Sequence, residues 1–566
     1  MEKGSDSLRI IWRTAMPLDE SGLIRSVSGD MASFEHALVL LLLIAGLSVI
    51  GRWLPWPQLI TYLLGGVGAA LVPAFPRMTL DPGFFFLCFL PPLLFADGWL
   101  MPLREFVRAR RAILTLATGL VFFTTVAVGL VAWWLVPGLS LAMAFALGAI
   151  VSPTDAVAVN AITERLRVPA RLTTVLSGES LMNDATGLVG FKFALAAVVA
   201  GSFSPGRMAV DFSLLAAGGL AIGFAAGYVI GKLRDLLLRL EASDPFIEIT
   251  LSLLTPFAAY LAAELLGASD ILAVVAAGLY SGWRDPVRMD VETRQSTYAV
   301  WRLLLFWLNG VAFVLLGLQF PTLLAAVHGH YSLARLLGFT AVISGTAIVA
   351  RLVWVFAGIY LPSLATGVCS KSSRGASALV VGWAGMRGTV TLAGALSIPL
   401  LLPDGTPFPS RDIVIFLAFG VIAVTLLLQG TTLERLIQHL GLREDDTRAQ
   451  EERLARTTAV QAGLTALRAL ETEADTPEHA AALGQVIAEY EHRLAALEAE
   501  GETRRNARMR RRASHHYRST ALKAERAAID ELWRSAKIID EVHRPLQQLL
   551  DHEESLLRDA PPSPED

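Results

Sequence analysis

Cysteine is nearly absent. Cys88 and Cys369 are the two in 566 residues, and each lies within or beside an apolar stretch, which argues against a disulfide framework. Charge is scarce as well. Asp, Glu, Lys and Arg make up 17% of the chain against 54% hydrophobic residues, a balance that excludes a soluble enzyme. No Walker A pattern occurs, so ATP-driven pumping has no support. Residues 1–32 mix Arg, Asp and Ser without the apolar core of a cleavable signal. Met31 stands just before the first hydrophobic run and could be an alternative start. The net charge of −3 averages over two unlike regions and says nothing about partners.

Those regions are an apolar body and a charged tail. Residues 33–436 are apolar with brief polar breaks, while 441–566 are dense in Glu, Asp, Arg and Lys. The expected organisation is an N-terminal extension (1–32), a transmembrane domain (33–436) and a C-terminal helical domain (437–566). About 20 apolar residues carry a helix across the hydrocarbon layer. Spans are therefore expected near 33–51, 54–74, 82–101, 112–136, 139–163, 174–200, 212–233, 246–267, 269–283, 299–321, 335–361, 376–402 and 411–436, about thirteen in all. The fold class is an all-α polytopic membrane protein. Basic residues set the orientation. One set of connections holds Arg52, Arg104, Arg108, Arg110, Arg111, Arg165, Arg167, Arg171, Lys232, Arg234, Arg239, Arg284, Arg288, Arg294, Lys371 and Arg374. The opposite set holds mostly single arginines: Arg77, Arg207, Arg335 and Arg411. The first set is expected in the cytoplasm, with the amino terminus outside and the tail inside.

Polar groups inside the apolar runs are the next signal. Gly178-Glu179-Ser180-Leu181-Met182-Asn183-Asp184 puts two carboxylates and an amide in the sixth span. A charge at bilayer depth costs roughly 2.5–3.5 kcal/mol on insertion scales, so it is retained where it is paired, watered or useful. Residues four apart share a helix face, so Ser180 with Asp184 and Glu179 with Asn183 form two adjacent polar columns. Their oxygens suit a small hard cation. Helix–helix glue, the plainer reading, explains Ser and Asn but not two acids. In the fifth span Ser152-Pro153-Thr154-Asp155 interrupts the helix at Pro153. Broken backbone at membrane depth lines a cavity, where its carbonyls can meet a cation and Asp155 can answer half-helix amino ends. The twelfth span carries three glycines and an arginine in Gly382-Trp383-Ala384-Gly385-Met386-Arg387-Gly388-Thr389. Two interrupted spans in separate halves point to a transporter site. Arg351, in an apolar interior, needs a carboxylate, and Glu179 is the choice that leaves Asp184 free. Snorkelling to a headgroup is the alternative. Lys192, two turns beyond Asp184, can reach the cavity or snorkel. Glu248, Glu264 and Asn309 are weaker, lining or packing groups.

These motifs, in this order over about 40–436, resemble the monovalent cation/proton antiporters, in the branch of bacterial NhaP-type sodium/proton antiporters and sodium–hydrogen exchangers. The resemblance implies thirteen helices in inverted repeats with crossed broken helices, and a homodimer. It implies that Asp184 binds cation or proton, that Ser180 and the Thr154 carbonyl help ligate the ion, and that Asn183 and Asp155 support the site. It also implies the Glu179–Arg351 pair and a role for Arg387 in structure and pH response. Asn183 fits the branch that is electroneutral. Met182 stands where Leu is usual.

The expected function is exchange of Na⁺, and perhaps Li⁺, for H⁺ by alternating access, one for one, with both ions competing at Asp184. No cofactor is required. K⁺/H⁺ exchange at the same site is the alternative. A gated channel lacks the ligand rings and glycine-rich filter it would need, and a sensor acting through the tail lacks any enzymatic signature. Expected surroundings are the plasma (inner) membrane and its lipids, and a cytoplasmic regulator for the tail. Nucleic acid is not expected. The tail reads as helices at 447–472, 476–501 and 518–555. Its basic cluster, Arg504, Arg505, Arg508 and Arg510–Arg512 with His515 and His516, suits anionic headgroups, an acidic partner or plain solvent. Pro561, Pro562 and Pro564 mark a frayed end.

Overall fold

A computed structural model describes residues 20–73, 75, 82–166, 168–200, 205–241, 244–366, 372–402, 404–442, 446–470, 476–498, 501–535 and 537–558. Residues 1–19 of the expected extension, Arg77, Arg167, Cys369, Lys371, Pro561, Pro562 and Pro564 lie outside them. So do the side chains of Met31, Arg165, Arg207, Arg374 and the Arg504–Arg512 cluster. By contact the chain divides into two units, Met1–Arg443 and Glu444–Asp566.

The first unit is helical throughout its described residues; its one β pairing there is an isolated bridge between Leu401 and Pro407. The helices are α1 (Glu20–Gly51), α2 (Gln58–Ala70), α3 (Pro82–Leu100), α4 (Leu103–Leu114), α5 (Val121–Leu135), α6 (Leu141–Val151), α7 (Ala156–Leu166), α8 (Ala170–Ala200), α9 (Pro205–Arg239), α10 (Pro245–Leu265), α11 (Asp270–Arg288), α12 (Val291–His328), α13 (Leu333–Thr366), α14 (Ser372–Trp383), α15 (Thr389–Leu396) and α16 (Arg411–Leu440). Each of the thirteen expected segments falls on one helix or on a broken pair. Eight stretches among the described residues are long and apolar enough to cross a membrane, and Glu35–Gly51, Gln58–Ala70 and Phe86–Leu100 are shorter apolar helices.

Boundaries differ where the helices run on beyond the apolar stretches that marked the spans. The expected start at residue 33 lies inside α1, which begins at Glu20, and the expected end at 436 lies inside α16, which continues to Leu440. The fourth span begins not at 112 but with the arginine-rich α4, which continues through a π-helical turn (Thr115–Leu120) into α5. α4 is strongly amphipathic, so its arginines stay on a solvated face and the helix need not stop at them. Starts follow local chemistry: Ser140, Asp244 and Asp290 accept the amides of Met143, Phe246 and Thr293 at 3.2, 2.7 and 3.1 Å, satisfying first-turn donors.

Packing sorts these helices into two bundles. α1, α2, α3, α9, α10, α11 and α12 pack mainly on one another, and α4–α8 with α13–α16 form the other group. The seam between them is lined by α3, α8, α11, α12, α15 and α16. In the first bundle α3 lies tight on α11: a Cβ at Gly98 would stand 3.0 Å from the Val275 carbonyl oxygen, and one at Gly278 would stand 2.5 Å from that of Phe95. Small residues allow such close backbone approach in lipid. This crossing fixes α3 beside the seam.

The same bundle buries a charge network at its arginine-rich end. Arg234 lies 3.3 Å from Glu248 and 3.0 Å from Asp285, with all three side chains at most 10% exposed. Trp99 Nε1 donates to Asp285 at 3.3 Å, and Arg288 meets Asp235 at 2.7 Å. Glu248, a weak site candidate in the sequence, thus belongs to a structural ion pair.

The second unit contains α17 (Asp446–Ala469), α18 (Pro477–Glu498), α19 (Gly501–Arg534) and α20 (Asp540–Arg558). Arg526 on α19 reaches Asp551 at 2.7 Å and Glu554 at 3.0 Å on α20. The His543 ring stacks on Trp533 at 4.8 Å. It also holds the Asp530 carboxyl, 3.0 Å away, below the usual carboxylate range.

Breaking a buried ion pair from one side costs about 3–5 kcal/mol, because the other charge stays buried. Arg234→Met is therefore expected to lower stability in detergent by an amount of that order. Thermal unfolding followed by size-exclusion chromatography checks it; a melting curve unchanged from the parent would refute it.

Candidate functional site: a cavity at crossed helix breaks

α6 ends at Val151 and α7 resumes at Ala156; α14 ends at Trp383 and α15 resumes at Thr389. The two extended segments meet, and the Asp155 amide donates to the Met386 carbonyl at 2.8 Å. Gly388 makes the crossing possible. A Cβ there would fall 1.6 Å from Asp155 Oδ2, so no side chain fits.

Three of the four half-helix ends have a side-chain answer. The carbonyl of Val151, at the end of α6, accepts from Arg387 Nε at 2.9 Å. The carbonyl of Val381, near the end of α14, accepts from Arg351 Nε at 3.0 Å. Cations suit the negative ends of helices. At the positive end of α7, Asp155 Oδ1 accepts the Val157 amide at 2.7 Å, and Ser180 Oγ accepts the Ala156 amide at 3.1 Å. Arg387 also donates to the Gly385 carbonyl, and its own amide donates to Thr425 Oγ1 at 3.2 Å. Arg351 and Arg387 are each 1% exposed.

The two polar columns of α8 face different tasks. Glu179 pairs with Arg351 through both carboxylate oxygens, the Nη2–Oε2 contact being 2.8 Å. Asn183 Nδ2 donates to Thr154 Oγ1 at 2.9 Å, and Thr154 Oγ1 donates to Glu179 Oε1 at 3.4 Å. The other column, Ser180 and Asp184, lines a cavity with Thr154, Asp155, Thr389 and Thr391. The space open to the centre of a water-sized sphere is about 20 Å³, which holds little more than one water or one dehydrated ion. Asp184 is 5% exposed and, among the described residues, has no hydrogen-bond or ion-pair partner. Asp155 Oδ2 is likewise buried without a hydrogen bond.

The sequence reading passed over one member. Asp97, on α3 of the opposite bundle, lines the same cavity. Its signal was available: an acid in the run Leu93-Leu94-Phe95-Ala96-Asp97-Gly98 faces the same insertion penalty as Asp184. Thr391 was missed too, and it carries no signal beyond following the second break. Arg351, Glu179, Asn183 and Arg387 do not line the cavity; they hold the segments that do. Of the weaker candidates, Glu264 is exposed and Asn309 donates to the Leu305 carbonyl of its own helix at 2.9 Å.

Residues 39–439 match the family model described as sodium/hydrogen exchanger, transmembrane. The chain belongs to the sodium/hydrogen exchanger family. Among curated family relatives, a sodium, potassium, lithium and rubidium/H⁺ antiporter of Bacillus pumilus is 41% identical over 72% of this chain and 61% of its own length. The chain thus spans about three fifths of that relative. The Bacillus subtilis antiporter of the same description is 36% identical over 92% of this chain and 77% of its own. The Na⁺/H⁺ exchanger YjcE of Escherichia coli is 36% identical over 93% of this chain and 99% of its own. The fold is similar to that of the sodium proton antiporter MjNhaP1 of Methanocaldococcus jannaschii, with TM-score 0.57 at 21% identity over 72% of this chain and 98% of that one. The two share an all-helical fold.

Overpacking a closed site costs on the order of 1–3 kcal/mol. Gly388→Ala is expected to force Asp155 off its position, lowering thermal stability in detergent by an amount in that range. A variant that melts with the parent would show that the crossing tolerates a side chain.

Proposed function

We propose that the chain is a secondary transporter exchanging Na⁺ for H⁺, electroneutrally and one for one, with both ions competing for Asp184. The observation that carries this reading is a carboxylate without a partner, walled by a hydroxyl and two further acids in a space that fits one small ion. Burial favours the protonated form of a carboxyl, and an adjacent cation favours its ionised form. One group that must lose its proton before it holds a cation couples two fluxes without a second pocket. Ser180 and Thr154 serve as further cation ligands. Asp155 and Asn183 support the site, Glu179 with Arg351 keeps a permanent charge pair away from it, and Arg387 secures both breaks. Asp97 adds a third acid from the other side of the seam. The ion is cargo, and no resident cofactor takes part.

The arginine-rich helix ends would face the cytoplasm of a plasma (inner) membrane, with the tail on that side and open to a regulator. Displacement of one bundle against the other would move the site between the two aqueous phases, and the working unit would be a homodimer. K⁺/H⁺ exchange at the same site is a second reading, favoured by the named cations of the two Bacillus relatives.

Dissipation of a pH gradient in proteoliposomes, with Na⁺, Li⁺ and K⁺ added in turn, separates these readings. The parent should respond to Na⁺ without dependence on imposed voltage, and Asp184→Asn should abolish the response while folding normally. Undiminished exchange by that variant would overturn the assignment. Asp97→Asn should raise the cation concentration needed for half-maximal exchange several-fold, as expected where one charged ligand is lost; an unchanged value would remove Asp97 from the site.

A further inference from the structure

Lys192 lies on α8, eight residues beyond Asp184 and so about 12 Å further along the helix. Its ammonium bonds both carboxylate oxygens of Asp270, each at 2.9 Å. Asp270 opens α11, its side chain is 7% exposed, and its Oδ1 also accepts the Ile271 amide at 3.0 Å. The phenol of Tyr260 on α10 faces the same carboxylate. The antiport reading assigns no task to this acid or this lysine.

What distinguishes the pair is where it sits. Arg234 with Glu248 and Asp285, Arg288 with Asp235, and Arg351 with Glu179 each close inside one bundle. Lys192–Asp270 joins the two bundles across the seam. α8 runs away from its arginine-bearing start toward Ala200, and α11 runs from Asp270 toward Arg284 and Arg288. The pair therefore lies between Asp184 and the end of the unit opposite the arginine-rich connections. A contact of this kind can form only while the bundles are approximated at that end.

We propose that Lys192–Asp270 is an outer latch: it holds the seam shut between the cation cavity and the outside, and it must part for the cavity to open outward. The proposal rests on the alternating-access reading of the site. An interaction made in one state alone biases the equilibrium between states by its differential strength. The pair thus stabilises the outward-closed state relative to the outward-open one. Lys192 suits the task, since its side chain is 52% exposed and can return to water when the pair breaks.

Two measurements test this, and one does not require transport. Thr391→Cys, on the cavity wall, is combined with Cys88→Ser and Cys369→Ser, and its thiol is labelled from the outer face with a membrane-impermeant methanethiosulfonate. Asp270→Asn and Lys192→Gln should each raise the labelling rate about tenfold, and the exchanged pair Lys192→Asp with Asp270→Lys should restore the slow rate. Equal rates in parent and single variants would overturn the latch. In the second measurement, Lys192→Cys and Asp270→Cys in the same background are joined by a cleavable bifunctional thiol reagent whose spacer matches the Lys–Asp span. Exchange in proteoliposomes should fall at least about tenfold on cross-linking and recover on cleavage. Full exchange while cross-linked would equally overturn it. Absence of exchange from the parent protein itself would sink the antiport reading instead, and the labelling result would still decide whether the seam opens at this pair.

Discussion

Backbone that leaves a helix in the interior of a low-dielectric slab must find other partners for its amides and carbonyls. Here two helices are broken at the same depth, and they solve the problem together. One segment's amide meets the other's carbonyl at Asp155 and Met386. The carbonyl ends of α6 and α14 are met by Arg387 and Arg351, and the amino end of α7 by Asp155 and Ser180. Those four side chains come from four places in the chain, the two breaks, α8 and α13, so the breaks depend on the assembly of the second bundle. The cavity follows from the same arrangement. Its wall is the surface that remains where extended segments replace helix.

The charges then divide by partner. Arg351 is buried and would be costly alone, and Glu179 cancels it in a two-pronged pair. Thr154 and Asn183 tie that pair to the first break. Asn183 of this closed network directly precedes Asp184, which has no such company among the described residues. An i, i+4 pattern makes the separation possible: Glu179 and Asn183 share one column and Ser180 and Asp184 the next. A helix thereby offers a neutralised face and a reactive face side by side.

Much of this was readable from the chain. Pro153 and the Gly385/Gly388 pair announce breaks because proline lacks an amide and glycine lacks a Cβ, both local properties. The two columns of α8 follow from helical periodicity. The Glu179–Arg351 pair follows from the need of a buried arginine for a carboxylate, Glu179 being the choice that leaves Asp184 free. What escaped depended on packing between distant segments. The contact between Asp155 and Gly388 and the approach of α3 to α11 leave no local pattern. Asp97 was passed over because a single acid in an apolar run looks the same whether it meets a cavity or a headgroup. The arginine-rich start of the fourth span lies outside its apolar run, yet the helix includes it, since a long side chain can reach water from a helix that continues. The tail's helices were legible from composition, whereas pairs such as Arg526 with Asp551 and Glu554 required coordinates.

The place of Asp97 gives the seam its meaning. Asp155 and Asp184 belong to one bundle and Asp97 to the other, yet all three line one cavity. Like charges at such range repel strongly where water is excluded. On the proposed function, with every acid ionised and no ion present, that repulsion would act across the seam between the bundles. A proton on Asp184 would weaken it, and a cation among the three would offset it. On the proposed function, occupancy and the fit between bundles are then the same electrostatic fact. Either guest permits the bundles to slide as a closed pair, and the vacant charged site resists it. On that reading, one acid contributed from the opposite wall would supply the condition an exchanger needs if it is not to leak.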